Sequence, residues 1–259
     1  MNTKLTDQAV VVVTGASAGI GQGAAIEIAA RGFGVVATYH SHPEGAEETV
    51  AIIRANGGKA VALPLDIGRS ETFSAFTEQL TGVLASEWEA ASVRGLVNNA
   101  GFGGGVSFEE MTEEAFDRYY RVLLRGPYFL TQSLLPLLSD GGSIVNVSSS
   151  SVRPGDTTEG YSGYAAMKAG LTTATRYLAK ELAVRGIRVT SIAPGPTRTR
   201  LGGDAFEKYP EIIDGLAAKT ALGRIGEPAD IGKVIAFLVS DDAAWITGED
   251  IQVSGGYAL

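Results

Sequence analysis

The 259-residue chain contains no cysteine and only two histidines. Without cysteine it can form neither a disulfide nor a cysteine-ligated metal site. The two histidines, His40 and His42, stand close together with no third ligand residue apparent beside them, which is too few for a zinc site. We therefore predict that no metal takes part in the function.

The chain also lacks an excess of positive charge and any long apolar run. Its formal net charge is −8, whereas binding to nucleic acid requires clustered Lys and Arg. No stretch approaches the ~18 apolar residues that suggest a membrane span, and residues 1–8 lack the basic start and apolar core of a secretory signal. We expect a cytoplasmic protein with neither a nucleic-acid nor a membrane partner.

The chain is 45% hydrophobic, and short β-branched runs alternate with helical patterns along its length. This alternation predicts an α/β fold, a doubly wound parallel sheet with helices on both faces. No linker or repeat marks a second domain, so residues 1–259 are predicted to form a single domain. Residues 200–222 break the alternation and are either a substrate lid or a surface insertion.

A long helix is predicted over residues 111–138, interrupted at Gly126-Pro127 because proline removes a helical hydrogen bond. The fifth strand is predicted over residues 143–147. It runs into four consecutive serines, from Ser148 to Ser151.

A glycine-rich turn follows the first apolar strand and opens the first helix. Its glycines, Gly15, Gly19 and Gly21, have the spacing G-x-x-x-G-x-G. Glycines let a backbone approach a pyrophosphate, and the helix N-terminus offers free N–H groups to it. Such turns also serve tight packing alone, but the order strand, turn, helix favours a nucleotide cofactor.

The end of the second strand reads Tyr39-His40-Ser41. In dinucleotide folds an acidic residue near this place holds the ribose 2′-hydroxyl of NAD. No carboxylate is present here, and His40 and Ser41 could bond a 2′-phosphate. The sequence therefore favours NADP over NAD as the cofactor.

Tyr164 and Lys168 lie four residues apart. On a helix this spacing brings a phenol and an ammonium group to one face. A nearby positive charge favours the phenolate, so the tyrosine could exchange a proton with a substrate oxygen. An exposed helix face with an ordinary lysine would show the same spacing.

The motifs T-G-A-S-A-G-I-G, N-N-A-G, a serine after the fifth strand, Y-A-A-M-K and a P-G loop occur in this order. Together they resemble the short-chain dehydrogenase/reductase family, including members similar to 3-oxoacyl-carrier-protein reductases. The resemblance extends from Asp7 to Gly256 and implies a Rossmann fold with a seven-stranded parallel sheet.

The resemblance also implies roles for single residues. Tyr164 would be the general acid/base, and Lys168 would lower its pKa and hold the nicotinamide ribose. A serine would bind the substrate oxygen. Position after the strand favours Ser149 and spacing from Tyr164 favours Ser151; we choose Ser149.

By the same resemblance, cofactor contacts extend along the glycine turn, an adenine pocket, a ribose wall and a loop that orients the carboxamide. The predicted cofactor residues are Gly15, Ser17, Gly19, Ile20, Gly21, Tyr39, His40, Ser41, Asp66, Ile67, Asn98, Ala100, Gly101, Tyr164, Lys168, Pro194, Gly195, Thr197 and Thr199.

One position departs from the family. Leu123 stands where the resemblance implies an asparagine whose backbone carbonyl holds a water in a proton relay. A leucine keeps the carbonyl but lacks the amide side chain.

These observations lead to one main hypothesis and two alternatives. The main hypothesis is an NADP-dependent reductase of a small ketone, sugar or polyol. A 3-oxoacyl-carrier-protein reductase is the first alternative, and a non-catalytic NADP-binding sensor is the second. The resemblance further implies a homotetramer, with a dimer as the other option.

Overall fold

The computed structural model describes residues 9–259, without the side chains of residues 201 and 202. The expectation about a secretory signal falls on residues 1–8, outside the described residues. Seven strands in the described chain form one parallel sheet in the order β3-β2-β1-β4-β5-β6-β7. The strands are β1 Val10–Val13, β2 Gly34–Tyr39, β3 Ala60–Pro64, β4 Val93–Asn98, β5 Leu138–Val147, β6 Arg188–Pro194 and β7 Asp250–Val253.

Helices cover both faces of the sheet. They are α1 Gly19–Ala30, α2 Pro43–Ala55, α3 Phe73–Trp88, α4 Glu113–Tyr120, α5 Gly126–Leu134, α6 Ser162–Leu182, α7 Leu201–Lys208, α8 Ile212–Ala218 and α9 Pro228–Val239. One core lies between the sheet and α1, α2 and α9, and the other lies between the sheet and α3, α5 and α6. This arrangement confirms the predicted doubly wound α/β sheet.

The strand order places the site. All four residues of β1 are fully buried, as expected for a strand covered by helices on both sides. The strand order reverses at β1, which pairs with β2 on one side and β4 on the other. Ligands of open α/β sheets bind at the carboxyl ends of the strands at such a reversal. The glycine turn after β1 and the N-N-A-G segment after β4 meet in this crevice.

The predicted helix over residues 111–138 differs from the structure. α4 and α5 are joined by a π-helical turn, Arg121–Arg125, so Pro127 falls in the first turn of α5, where a missing N–H is tolerated. α5 ends at Leu134, and Leu138 already pairs with Val93 in the sheet. Pro136 disfavours helix in the residue before it, and the apolar residues around it suit a buried strand equally well.

Residues 200–222, predicted as a lid or an insertion, contain the short helices α7 and α8. Across residues 9–259, the helices are too short or too polar to cross a membrane.

Candidate active site

The glycine turn is packed too tightly for side chains at two of its positions. Gly15 has a φ of +65°, and a Cβ on it would lie 2.8 Å from the Cα of Ala100. A Cβ on Gly21 would lie 2.2 Å from the Gly15 carbonyl oxygen. The N-cap residue of α1, Ala18, makes no side-chain cap bond. The first turn of α1 therefore offers backbone N–H groups at the crevice, as a cofactor pyrophosphate requires.

Two residues that sequence reasoning missed hold this turn in place. Asn99 donates from Nδ2 to the carbonyl oxygens of Thr14 (2.9 Å) and Gly15 (3.1 Å). The Thr14 hydroxyl accepts from the backbone N–H groups of Asn99 and Ala100, both at 2.9 Å. The N-N-A-G motif contains both asparagines, and the sequence prediction selects Asn98, whereas Asn99 is the one that holds the glycine turn.

The side chain of Asn98 lies inside the sheet. It is buried and donates to Asn146 Oδ1 at 2.8 Å and to Thr131 Oγ1 at 3.0 Å. Asn146 in turn donates to Thr175 on α6 at 2.9 Å. This network ties β4 and β5 to the helices beneath them, so only the backbone of Asn98 is left to line the predicted ribose wall.

The predicted adenosine residues meet at one end of the crevice. His40 Nε2 lies 3.4 Å from Asp66 Oδ2, and the other oxygen of Asp66 accepts from the Gly68 N–H at 2.9 Å. Arg200, which no motif indicated, reaches this end and lies 3.4 Å from His42 Nε2. Tyr39, Ser41 and Ile67 are their chain neighbours in the sequence.

The P-G loop forms the opposite wall. A Cβ on Gly195 would lie 2.7 Å from Ser254 Cβ, so the loop after β6 packs directly on the segment after β7. Thr197 bridges to Gly226 and donates from its hydroxyl to the Gly195 carbonyl at 2.9 Å. Thr199 lies against Gly19, where a Cβ would meet it at 3.1 Å. The structure thus brings both predicted loops around one cleft.

Tyr164 and Lys168 are both buried on α6, and Ser149 caps the short turn that follows β5. Ser149 lies beside Tyr164, and its side chain opposes the effect of burial on the pKa of the phenol. Ser149 Oγ also accepts from Ser151, from its N–H at 3.2 Å and its hydroxyl at 2.8 Å. A serine hydroxyl has one proton and two lone pairs, so Ser149, which accepts twice from Ser151, still has its own proton to donate to a ligand. Of the two serines, Ser149 is the one beside Tyr164, and Ser151 is bonded to Ser149.

Burial governs the electrostatics of the pair. It raises the pKa of Tyr164 to about 12, against the opposing effect of the Ser149 hydrogen bond. It also lowers the pKa of Lys168 to about 8, and this ammonium donates to the Val147 carbonyl at 2.7 Å. We expected Lys168 to lower the Tyr164 pKa; in the structure burial dominates and raises that pKa, because desolvation disfavours the charged form of each group. The Tyr164 phenol is therefore neutral at neutral pH.

Other aromatic side chains pack against the Tyr164 ring. Tyr161 and Tyr119 stand edge-on to the Tyr164 ring, at 5.8 Å and 6.5 Å between centroids. Phe102 stacks on Tyr119 at 5.0 Å. Leu123 is buried in the same cluster, so hydrocarbon fills the place for which the family resemblance implied an amide side chain.

The fold and this site define a dinucleotide-binding oxidoreductase of the Rossmann type. A family sequence profile described as "Enoyl-(Acyl carrier protein) reductase" matches residues 15–258. The chain belongs to the short-chain dehydrogenase/reductase family, a family of NAD(P)-dependent oxidoreductases.

Named relatives of similar length support this membership. The chain is 40% identical over 250 residues to an uncharacterized oxidoreductase of Methylorubrum extorquens, covering 95% of this chain and 96% of the relative. It is 36% identical over 258 residues to a hydroxynaphthalene reductase-like protein of Metarhizium brunneum, covering 95% and 94%.

Solved structures agree. The promiscuous reductase LugOII, which catalyses keto-reduction at C1 during lugdunomycin biosynthesis, superposes with a TM-score of 0.91 at 36% identity, covering 97% of this chain and 98% of that one. The angucycline C-6 ketoreductase LanV with bound NADP superposes with a TM-score of 0.90 at 35% identity, covering 96% and 95%.

The lowered pKa of Lys168 predicts a pH dependence of stability. Unfolded lysine holds its proton up to 10.5, whereas folded Lys168 loses it near 8. Between these values the unfolded chain binds more protons, so the Lys168 contribution to the free energy of unfolding rises with pH by up to about 1.4 kcal/mol per pH unit. Tyr164 opposes this only above pH 10, its unfolded value.

Urea unfolding of the wild type and Lys168→Met between pH 8 and 10 measures this difference. In Lys168→Met the free energy of unfolding should rise less steeply with pH, by up to about 1.4 kcal/mol per pH unit less than in the wild type. Lys180→Met, an exposed lysine on the same helix, should keep the wild-type slope. Equal slopes in all three proteins would show that Lys168 is not desolvated as described.

Proposed function

We propose that this protein is an NADP-dependent ketoreductase. When bound, the nicotinamide supplies the hydride that reduces the carbonyl carbon. Tyr164 donates its phenol proton to the carbonyl oxygen, and the Ser149 hydroxyl turns to the same oxygen and stabilises the charge developing on it. The observation that supports this best is the buried Tyr164 phenol beside Ser149, which burial keeps protonated at neutral pH. A phenol is a stronger acid than the alcohol that forms when hydride adds to a ketone, so its proton can pass to the developing alkoxide.

Several features of the adenosine end support NADP. The end of β2 carries Tyr39, His40 and Ser41 in place of the carboxylate that holds the ribose 2′-hydroxyl of NAD; the Asp66 carboxylate nearby lies against His40 at 3.4 Å. Arg200 pairs with Asp204 at 2.9 Å and places a second guanidinium nitrogen beside His42, and guanidinium groups suit phosphate oxygens. LanV, a relative in structure, was solved with NADP.

For the substrate, we infer a ketone on a fused aromatic ring system. Tyr161, which is half-buried, places an aromatic ring next to Tyr164, and Phe102 lies in the same cluster between Tyr119 and the Arg118 guanidinium. An aromatic ring beside the reacting hydroxyl favours a planar ring over a sugar. The names of LugOII, LanV and the hydroxynaphthalene reductase-like protein point to similar ketones in those relatives. A small ketone, sugar or polyol, expected from the sequence, becomes the alternative to be tested.

A carrier-protein substrate has less support. Arg185, the basic residue that fitted such docking, donates to Asp140 at 2.8 Å and to the Leu135 carbonyl at 2.9 Å. It also bonds to the Leu138 carbonyl. A guanidinium held by three acceptors inside its own chain, in a protein of net charge −8, is a poor platform for an acidic partner.

Calorimetry with NADPH and NADH, followed by NADPH oxidation with a panel of ketones, tests the proposal. The panel holds 1-tetralone, cyclohexanone, fructose and a 3-oxobutanoyl thioester. We expect NADPH to bind at least about tenfold more tightly than NADH, about 1.4 kcal/mol, and 1-tetralone to give the highest kcat/KM. Preference for fructose or the thioester would replace the substrate class. Tight binding without turnover on any compound would favour the sensor.

We infer further that the protein is a cytoplasmic homotetramer, with a dimer as the alternative. Tyr128 and Phe129 on α5 are each 40% exposed, and Tyr177 on α6 is 67% exposed. Exposed aromatic side chains on surface helices are typical of subunit interfaces. Residues 200–222 are proposed as a substrate lid, because they follow Thr199 directly and lie beside the cleft.

A further inference from the structure

The four serines after β5 have different partners. Ser149 lies beside Tyr164, and Ser151 donates to Ser149 at 2.8 Å. Ser150 donates to Asp156 Oδ2 at 2.5 Å, and Ser148 donates to Asp250 Oδ1 at 2.9 Å. Only Ser148 connects this run to another strand by its side chain, and that strand is β7.

Asp250 is the first residue of β7, and its side chain is only 11% exposed. Its Oδ1 accepts from Ser148 and from Ser191 on β6, the latter at 2.7 Å. Its Oδ2 accepts from Arg153 at 2.9 Å. A carboxylate is stabilised away from water by several donors of this kind, and bonds to a charged acceptor are about twice as strong as neutral ones.

The residues bonded to Asp250 lie on both sides of Ser149 in the sequence. Ser148 precedes it directly, and Arg153 follows four residues later, at the end of the turn 149–152. Both ends of the turn are therefore attached to one carboxylate. That carboxylate lies on a strand in register with β6, where Asp250 pairs with Ser191.

We propose that Asp250 is a positioning residue that fixes the direction of the Ser149 hydroxyl. The inference rests on the proposed ketoreductase function, in which this hydroxyl binds the substrate oxygen. A hydroxyl that must meet a developing negative charge tolerates little displacement, and a shift of about 1 Å can cost about 100-fold in rate. The side-chain partners of Asp250 are Ser148, Ser191 and Arg153, so Asp250 acts on Ser149 through Ser148 and Arg153.

Asp250→Asn tests this with the smallest change in volume. The amide keeps one oxygen acceptor, and Arg153 keeps its bond to the backbone carbonyl of residue 250, but the charge that Arg153 pairs with is lost. Because Ser149 acts mainly on the transition state, we expect kcat to fall about tenfold while KM and the NADPH Kd stay within about twofold. Asp242→Asn, an exposed carboxylate paired with Arg31 at 3.0 Å, should leave all three constants unchanged.

A double-mutant cycle separates positioning from general loss of structure. If Asp250 acts through Ser149, Asp250→Asn should lower kcat by less than about twofold once Ser149 is alanine. The same tenfold loss in both backgrounds would overturn the inference. So would an unchanged kcat in an Asp250→Asn protein that melts like the wild type.

Amide hydrogen exchange provides a reading that does not depend on turnover. In Asp250→Asn the amides of residues 148–153 should exchange at least about tenfold faster, because local opening of this turn becomes easier. Exchange at the wild-type rate would overturn the positioning role even if the wild type is active. A wild type that reduces no ketone would instead overturn the proposed function, and the exchange rates would still decide whether Asp250 holds the turn.

Discussion

Replacing Tyr164 with phenylalanine is expected to lower the rate of ketone reduction by about 1,000-fold, within the range of general acid catalysis. The substitution removes only the hydroxyl that donates to the carbonyl oxygen. The ring should stay in place, because it packs edge-on against Tyr119 and Tyr161. The NADPH Kd should therefore change by less than about twofold.

The measurement is kcat for the best ketone at saturating NADPH, with the Kd determined by calorimetry. Tyr177→Phe is the matched control, since it removes a tyrosine hydroxyl from the same helix at a position that is 67% exposed. It should keep the wild-type rate. Full activity in Tyr164→Phe would mean that another group supplies the proton. Loss of NADPH binding together with activity would point to disturbed folding of the cleft.

The position of the site was predictable because its signals are local. A buried β-branched strand, a glycine turn and a helix follow one another within residues 10–30, and this order fixes where a crevice opens in a parallel sheet. The spacing of Tyr164 and Lys168 likewise places them on one helix whatever the remaining chain does. The prediction of a doubly wound sheet is confirmed for the same reason, since periodicity within each segment decides its type.

The acid–base behaviour of the site was not predictable from spacing. Spacing suggested a lysine that lowers the pKa of its tyrosine. Burial instead raises the Tyr164 pKa and lowers the Lys168 pKa, because both groups are desolvated, and Lys168 is bonded to the Val147 carbonyl. Burial depends on residues distant in sequence, among them Tyr119 and Leu123. No short motif records how closely those residues pack.

The sequence could not decide which of two similar neighbouring residues takes part in the site. Asn98 and Asn99 are adjacent and chemically identical, yet one bonds inside the sheet and the other holds the glycine turn. Successive residues at a strand end face opposite sides, so a one-residue error in where the strand ends exchanges their roles. The choice between Ser149 and Ser151 is of the same kind, and the position of Ser149 beside Tyr164 supports Ser149.

Gly21→Ala is expected to damage both the fold and cofactor binding. The added Cβ would lie 2.2 Å from the Gly15 carbonyl oxygen and 2.4 Å from Asn99 Nδ2. Neither atom is the end of a flexible side chain, because Asn99 is bonded to Thr14 and Gly15. The turn must therefore move away from α1, at a cost of about 1–3 kcal/mol in the free energy of unfolding. The N–H groups offered to the pyrophosphate move with it, so the NADPH Kd should rise at least about tenfold.

Gly82→Ala is the matched control, because Gly82 lies within α3. Apart from its chain neighbours and its own helix backbone, no atom of the described residues lies within 4 Å of a Cβ added there. It should raise the free energy of unfolding by about 0.5–1 kcal/mol, the ordinary gain of alanine over glycine in a helix. Urea unfolding and calorimetry on the two variants give opposite expected signs for one added methyl group. A stable Gly21→Ala that binds NADPH normally would show that the turn has room to spare. A stable variant that has lost NADPH binding would show that the glycine makes space for the pyrophosphate and not for the packing of its own chain.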